Sequence, residues 1–206
     1  MSPIQQYIDT HPVAKLQIGC GGNMLPGWLN TDGQMDGWFH PESVKLDAAE
    51  LFPIPDATFD FVYSEHMIEH IPYWAGQQML RECFRIMKPG AAIRISCPDF
   101  QFLIDLYINP TELSKQYTEN ESPEWAPYTD PIFIINNYVR AWGHQFIYDK
   151  PAMTNSLLAA GFEAVTEHAI LESNVPELQN LEIPTRMQPG FLQLETMTFE
   201  ARKPVL

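Results

Sequence analysis

The sequence predicts a single α/β domain built on a mostly parallel sheet. Three observations carry that reading. Residues 15–32 read KLQIGCGGNMLPGWLNTD: an apolar strand, a glycine-rich turn, and a second strand-like run ending in an acid. Further along, a buried-strand run at residues 59–63, a helical stripe at 73–87 and another strand at 92–97 follow one another, the alternation from which parallel sheets are built. The 206 residues suffice for one such domain with a substantial core and little more.

Taken in order, residues 1–14 read as a leader or short helix covering a sheet edge. Leu16 and Ile18 make 15–18 the first strand. Gly19, Gly21 and Gly22 then let the backbone turn sharply and approach a ligand without Cβ clashes. Residues 22–28, punctuated by Pro26-Gly27, leave room for one helical turn, so the first helix of the fold is truncated. Trp28 and Leu29 open a second strand that closes at Asp32. Residues 33–43 are a loop, 44–46 a short strand ending at Asp47, 52–57 a turn segment and 59–63 a buried strand. Residues 65–71 and 73–87 are expected to be helices separated by Pro72. In the second, Met79, Leu80, Cys83, Phe84 and Met87 recur on one face. Lys88-Pro89-Gly90 is expected to end that helix. Residues 92–97 alternate apolar and polar. Residues 100–150, rich in Pro, Asn, Glu and aromatics, are too long for a plain loop and read as an insertion or lid. A helix over 151–160 turns out at Gly161-Phe162. Residues 163–171 and 195–202 are the final strands.

Composition narrows the function. Twelve basic residues against 26 acidic ones give a net charge of −14. Nucleic-acid binding needs Lys and Arg against phosphates, so a broad DNA- or RNA-binding face is not expected. No apolar run approaches the ~18 residues of a membrane span, so no membrane partner is expected. MSPIQQYIDTHPVAK has no basic region followed by an apolar stretch, hence no visible signal peptide. Cys20, Cys83 and Cys97 are odd in number and lack C-x-x-C spacing, which points to a reducing, cytoplasmic setting.

The glycine turn fits no nucleotide fingerprint fully. In G-x-G-x-x-G/A the third position would be Met24, and G-x-x-x-x-G-K-[ST] is absent. Asp32 follows Gly19 by thirteen residues, short of the roughly 20 of a dinucleotide site. A ligand with an adenosine but no pyrophosphate fits better.

LQIGCGGN resembles motif I of the class I S-adenosylmethionine (SAM) methyltransferases. VKLDAAELFPIPDATFDFVYSEHMIEHI resembles their third and fourth strands, and LRECFRIMKPGAAIRISCPDF their following helix, turn and fifth strand. The closest likeness is to short bacterial methyltransferases of the methyltransferase-11 type, with Gln17 in place of the motif I acid and Asn23 in place of the third glycine. The resemblance implies a three-layer Rossmann-like class I methyltransferase fold whose last strand is antiparallel. It implies SAM as cofactor and S-adenosylhomocysteine as product. It further implies that Gly19, Cys20, Gly21 and Gly22 hold the methionine end, that Asp32 holds the ribose, and that Asp47 with Ala48 meets the adenine.

Ser64, Glu65 and His66 end a strand and are expected to line the cofactor or substrate pocket, with His66 the candidate general base. His144 and Tyr148 lie at helical spacing, and His144 is the second catalytic candidate. His66, Glu69 and His70 spell H-x-x-E-H, the inverted zincin motif. A zinc hydrolase needs a third ligand, so Glu69 and His70 read as structural and no metal is assigned. The expected function is methyl transfer to a small-molecule or carrier-bound acceptor. The alternatives are a non-catalytic SAM-binding or scaffold protein and, behind it, a metal-dependent hydrolase using His66, Glu69 and His70. Homodimerisation stays open.

Overall fold

The computed structural model describes residues 1–33 and 39–205, so part of the loop expected over 33–43 lies outside the described residues. The strands are β1 (Lys15–Ile18), β2 (Leu29–Asp32), β3 (Val44–Lys45), β4 (Phe59–Glu65), β5 (Met87–Pro98), β6 (Glu163–His168) and β7 (Thr196–Arg202). They form one sheet in the order β3-β2-β1-β4-β5-β7-β6. The first five run parallel, and β7 is antiparallel to both its neighbours. Strand order reverses between β1 and β4. Open α/β sheets bind ligands there, at the carboxyl ends of the strands. Gly19 and His66 stand just past those two ends.

One face of the sheet carries the main core. Helix α1 (Pro3–Thr10), capped by Ser2, buries Ile4 and Tyr7. The Tyr7 hydroxyl donates to Gly27 O and accepts from Lys15 N, fixing the helix against the start of β1. Helix α2 (Tyr73–Ile86) buries Ala75, Met79, Leu80, Cys83 and Ile86; of the expected stripe, Phe84 is only partly buried and Met87 belongs to β5. Helix α6 (Lys150–Ala160) packs beside it and ends on Gly161, whose φ of +105° suits a residue without Cβ.

The opposite face lacks the usual helix after β1. Residues 23–28 lack even the single helical turn expected; Pro26-Gly27 makes a plain turn there. Trp28, Tyr63 and Ala92 on that face are covered instead by Val175, Leu178 and Leu181 from an irregular segment near the C-terminus. Asn23 donates to Leu181 O at 3.4 Å, so the residue standing where the third glycine would be tethers this cover.

Beyond β5 the chain builds a second, smaller cluster. Helices α3 (Phe100–Ile108), α4 (Glu112–Glu121) and α5 (Pro131–Arg140) bring Phe102, Leu103, Leu106, Tyr117, Ile134 and Tyr138 together with Phe191 of α7 (Phe191–Glu195). Each of the first three starts on a side-chain cap: Asp99, Thr111 and Asp130.

Four local expectations need correction. Residues 65–71 are not a helix: β4 runs to Glu65, His66 turns the chain with φ +46°, and only Ile68–His70 makes a 3₁₀ turn. Lys88-Pro89-Gly90 does not stop α2 at a glycine cap, because β5 begins at Met87, and Gly90 N reaches Lys203 O. Strand β6 ends at His168, and Glu195 closes α7 before β7 begins. His144 and Tyr148 share no helix; the chain between α5 and α6 is irregular.

Candidate active site

The glycine loop is built by its own backbone and by Asp32. Gly19 and Gly21 have φ of +70° and +50°. A Cβ on Gly19 would lie 2.2 Å from Met67 Cγ, so the loop packs flush on the turn after β4. Gly21 N donates to Asp32 Oδ2 at 2.9 Å, and Cys20 N donates to Thr31 O at 2.9 Å. These bonds pin the loop to the end of β2. Burial, with Asp32 nearby, pushes the Cys20 thiol up to about 11, so it stays protonated and packs. Among the described residues, none lies within 4 Å of a notional Cβ on Gly22, which leaves space beside the loop. Asp47 is exposed; its Oδ1 accepts from Ala49 N in a local turn, while Ala48 belongs to the core.

Among the described residues, Gln17 Oε1, where the motif I acid would stand, and Ser64 Oγ are buried without a hydrogen-bond partner. Glu65 is occupied elsewhere. Its Oε2 accepts from the Tyr63 hydroxyl at 3.1 Å, and its Oε1 lies 3.4 Å from Arg186 Nη1. Burial raises the Glu65 carboxyl and Arg186 opposes the shift.

Beside the loop lies a cluster that only the fold assembles. Gln145 N and Phe146 N donate to Glu69 O, and Gln145 Nε2 donates to His70 O, so the chain after α5 is laced to the turn after β4. His144 thereby meets His70, ring centroids 4.8 Å apart. His66 Nδ1 lies 3.5 Å, and His70 Nε2 4.0 Å, from Glu69 Oε1. Glu69 is fully buried, and neither of its carboxylate oxygens has a hydrogen-bond partner among the described residues. Burial pushes its carboxyl up to about 8 and holds His66, His70 and His144 below the ordinary imidazole range.

The cluster continues into a buried network. The Tyr138 backbone carbonyl accepts from His144 Nδ1 at 2.7 Å. The Tyr138 and Tyr117 hydroxyls both donate to Glu195 Oε2, and Arg186 sits between Glu195 and Glu65. Asp99 caps α3 by accepting from Gln101 N. Sequence reasoning placed His66 and His144 individually. It missed Tyr138, Arg186 and Glu195, since no local pattern marks them.

The comparisons with known proteins agree with this geometry. A family model for the methyltransferase domain matches residues 24–95. A Mycolicibacterium smegmatis protein named "Probable S-adenosylmethionine-dependent methyltransferase" is 43% identical over 51 residues, 25% of this chain; the shared stretch spans only 19% of that relative's length. Among solved structures, a SAM-dependent methyltransferase from Archaeoglobus fulgidus aligns over 97% of this chain and 91% of its own, at 19% identity and a TM-score of 0.53. A chain from the complex of the Haloferax volcanii Trm112 methyltransferase activator with a methyltransferase aligns over 98% and 88%, at 12% identity and a TM-score of 0.54. The sheet order and glycine loop agree with these matches, which make residues 24–95 similar to the methyltransferase domain and the fold similar to that of class I SAM-dependent methyltransferases. Proteins of that class take SAM as methyl donor and release S-adenosylhomocysteine.

The residues present fit that cofactor. The left-handed glycines, the open space at Gly22 and the unpartnered Ser64 Oγ lie together at the switch point, where a ligand's polar groups would replace solvent. Among the described residues, no helix is long and apolar enough to cross a membrane.

Proposed function

We propose that this chain binds SAM between the ends of β1 and β4 and transfers its methyl group to a small-molecule or carrier-bound acceptor. The observation that carries the reading is the Gly19–Gly21 turn, left-handed at both glycines and bonded to Asp32 at the point where strand order reverses.

In this reading Gly19, Cys20, Gly21 and Gly22 cradle the methionine end, Asp32 accepts from the ribose, and Asp47 with Ala48 meets the adenine. Ser64 and Glu65 complete the wall. When bound, the cofactor supplies a methyl already activated on a sulfonium. The chain's own task is to orient the acceptor about 3 Å from that carbon and exclude water. Helices α3, α4 and α5, within residues 100–150, act as the lid that does so. His66 and His144 stand on the acceptor side as neutral imidazoles, able to accept a proton from an acceptor that must lose one. The acidic surface suits a small acceptor in a cytoplasmic setting better than a nucleic acid.

The test is a thermal melt with and without S-adenosylhomocysteine, on the parent chain and on Asp47→Ala. At ~100 times its dissociation constant the ligand adds about 2.7 kcal/mol, a rise of roughly 5–10 °C for a chain of this size. Asp47 is exposed and makes only a local turn, so its loss should abolish the rise without unfolding the protein. No rise in the parent chain sinks the proposal. A rise without turnover of any acceptor leaves a non-catalytic SAM-binding protein.

A further inference from the structure

From the geometry we infer that Glu69, His70 and His144 form a divalent transition-metal site with His66 beside it; with an ion bound, His144 serves as a ligand and His66 alone stays as the base. One ligand atom from each of the first three lies within 4.8 Å of the other two. Closing them onto an ion, with bonds of about 2.1 Å, takes side-chain shifts on the order of 1 Å. The second observation is Glu69 itself. It is fully buried, faces His66 and His70, and among the described residues has no hydrogen-bond partner for either oxygen. A buried carboxylate left unsatisfied is costly, and a cation between it and the imidazoles would satisfy it.

The imidazoles are oriented as ligands need to be. A carbonyl only accepts, so the His144 Nδ1 on Tyr138 O carries the proton, and Nε2 presents its lone pair. His66 Nε2 bonds the Thr196 hydroxyl at 2.8 Å, which turns Nδ1 toward Glu69. His70 is half-exposed and gives an ion a way in. Two imidazoles and one carboxylate suit Mn(II), Fe(II), Co(II) or Zn(II), and not Mg(II) or Ca(II), which prefer all-oxygen shells. Three protein donors leave positions for water or for an oxygen of a bound molecule. Met67 packs on Gly19, so the ion would sit one turn from the glycine loop. The zincin pattern in the sequence names only part of this set; His144 comes from 74 residues beyond His70 and completes it without a zincin helix.

The test needs neither SAM nor an acceptor, so it stands apart from the methyltransferase reading. The full chain is stripped with a chelator and titrated with Co(II), reading visible absorption, and with Zn(II), reading bound metal per chain and the melting temperature. The expected result is one equivalent of either ion, a cobalt spectrum typical of nitrogen ligation, and a higher melting temperature that Mg(II) does not reproduce. Glu69→Gln keeps the side-chain shape, and His144→Ala removes a half-buried ring; each should weaken binding at least tenfold while circular dichroism stays that of the parent. Should both variants fail to fold, the parent's own titration decides. Binding well below one equivalent in the parent, or unchanged affinity in a folded variant, overturns the site.

Discussion

Glu82 shows how one residue's surroundings set a pH dependence. Its Oε2 accepts from Phe52 N at 2.8 Å and from Arg85 Nη2 at 2.7 Å, and its Oε1 accepts from Arg85 Nε at 3.0 Å. These bonds, the Arg85 ones foremost, hold its carboxyl below the usual range. A depressed folded value means the stabilisation is complete above the ordinary carboxylate pKa and is lost as pH falls through the folded one. Arg85 is about a third exposed, so the pair contributes modestly, about 1 kcal/mol. Glu82→Gln should therefore lower the melting temperature at pH 7 by roughly 2–4 °C. The gap should shrink below about pH 4 as the parent's own carboxyl protonates. Melts across pH 7 to 3 check this, and a constant gap would contradict it. At this scale the sequence was partly legible. Gly19, Gly21 and Asp32 stand where the motif puts them, since a left-handed turn and a strand-end acid are local demands. His66 was legible as a strand-end residue. Its left-handed backbone was not, because the helical spacing of H-x-x-E-H conceals a bend. The company of His144 depends on backbone bonds to Glu69 and His70 that no local pattern encodes.

Helix α2 illustrates what an element needs beyond periodicity. Its apolar spacing picks out Met79, Leu80 and Cys83 on its buried face, yet Gly76 inside it looks like a defect, since Ala there should gain about 0.5–1 kcal/mol. Packing reverses the sign. A Cβ on Gly76 would lie 2.5 Å from the Tyr148 hydroxyl oxygen and 3.4 Å from Ile68 Cγ1, and Tyr148 is fully buried. The glycine lets the segment before α6 lie against α2. Gly76→Ala should cost a net of about 1–2 kcal/mol, as overpacking outweighs propensity. Adding Tyr148→Phe should restore much of the loss by removing the clashing oxygen. Denaturant melts of the two singles and the double check it; a stabilised Gly76→Ala would show that Tyr148 yields freely. The same contest explains the misread elements. Pro72 caps α2 but does not make a helix before it, and Lys88-Pro89-Gly90 passes into β5 because pairing with β4 and β7 outweighs a local stop signal.

At the scale of the molecule, the sheet's second face is held by charge where a helix is missing. Arg94 and Ser96, the polar residues of the alternating run in β5, are both buried. Arg94 Nε donates to Glu182 Oε1 and Nη1 to Glu200 Oε1, each at 2.7 Å; Nη1 also reaches Glu172 O and Nη2 reaches Ala169 O. Glu182 in turn accepts from the Ser96 hydroxyl and from Leu171 N. One guanidinium thus ties the irregular segment that carries Val175, Leu178 and Leu181 over Trp28 and Tyr63. That tie joins β5 to residues 78 and 88 positions later, which is why the sequence could not announce it. A buried ion pair is not in itself strong evidence of net stabilisation, since desolvation offsets the attraction. Removing one partner alone is costly, because the other charges stay buried and unpaired, about 3–5 kcal/mol. Arg94→Met should therefore lower the melting temperature by roughly 6–20 °C. Arg94→Met with Glu182→Leu and Glu200→Leu should recover part of it, since no buried carboxylate is then left without a partner. The two variants should also differ locally. In Arg94→Met the cover loses its anchor, so limited proteolysis under native conditions should cut within residues 169–182 before the sheet opens. Uniform cleavage with global unfolding would mean that the cover is held by its apolar contacts, and that the charge network sets only which irregular path the chain takes across the sheet.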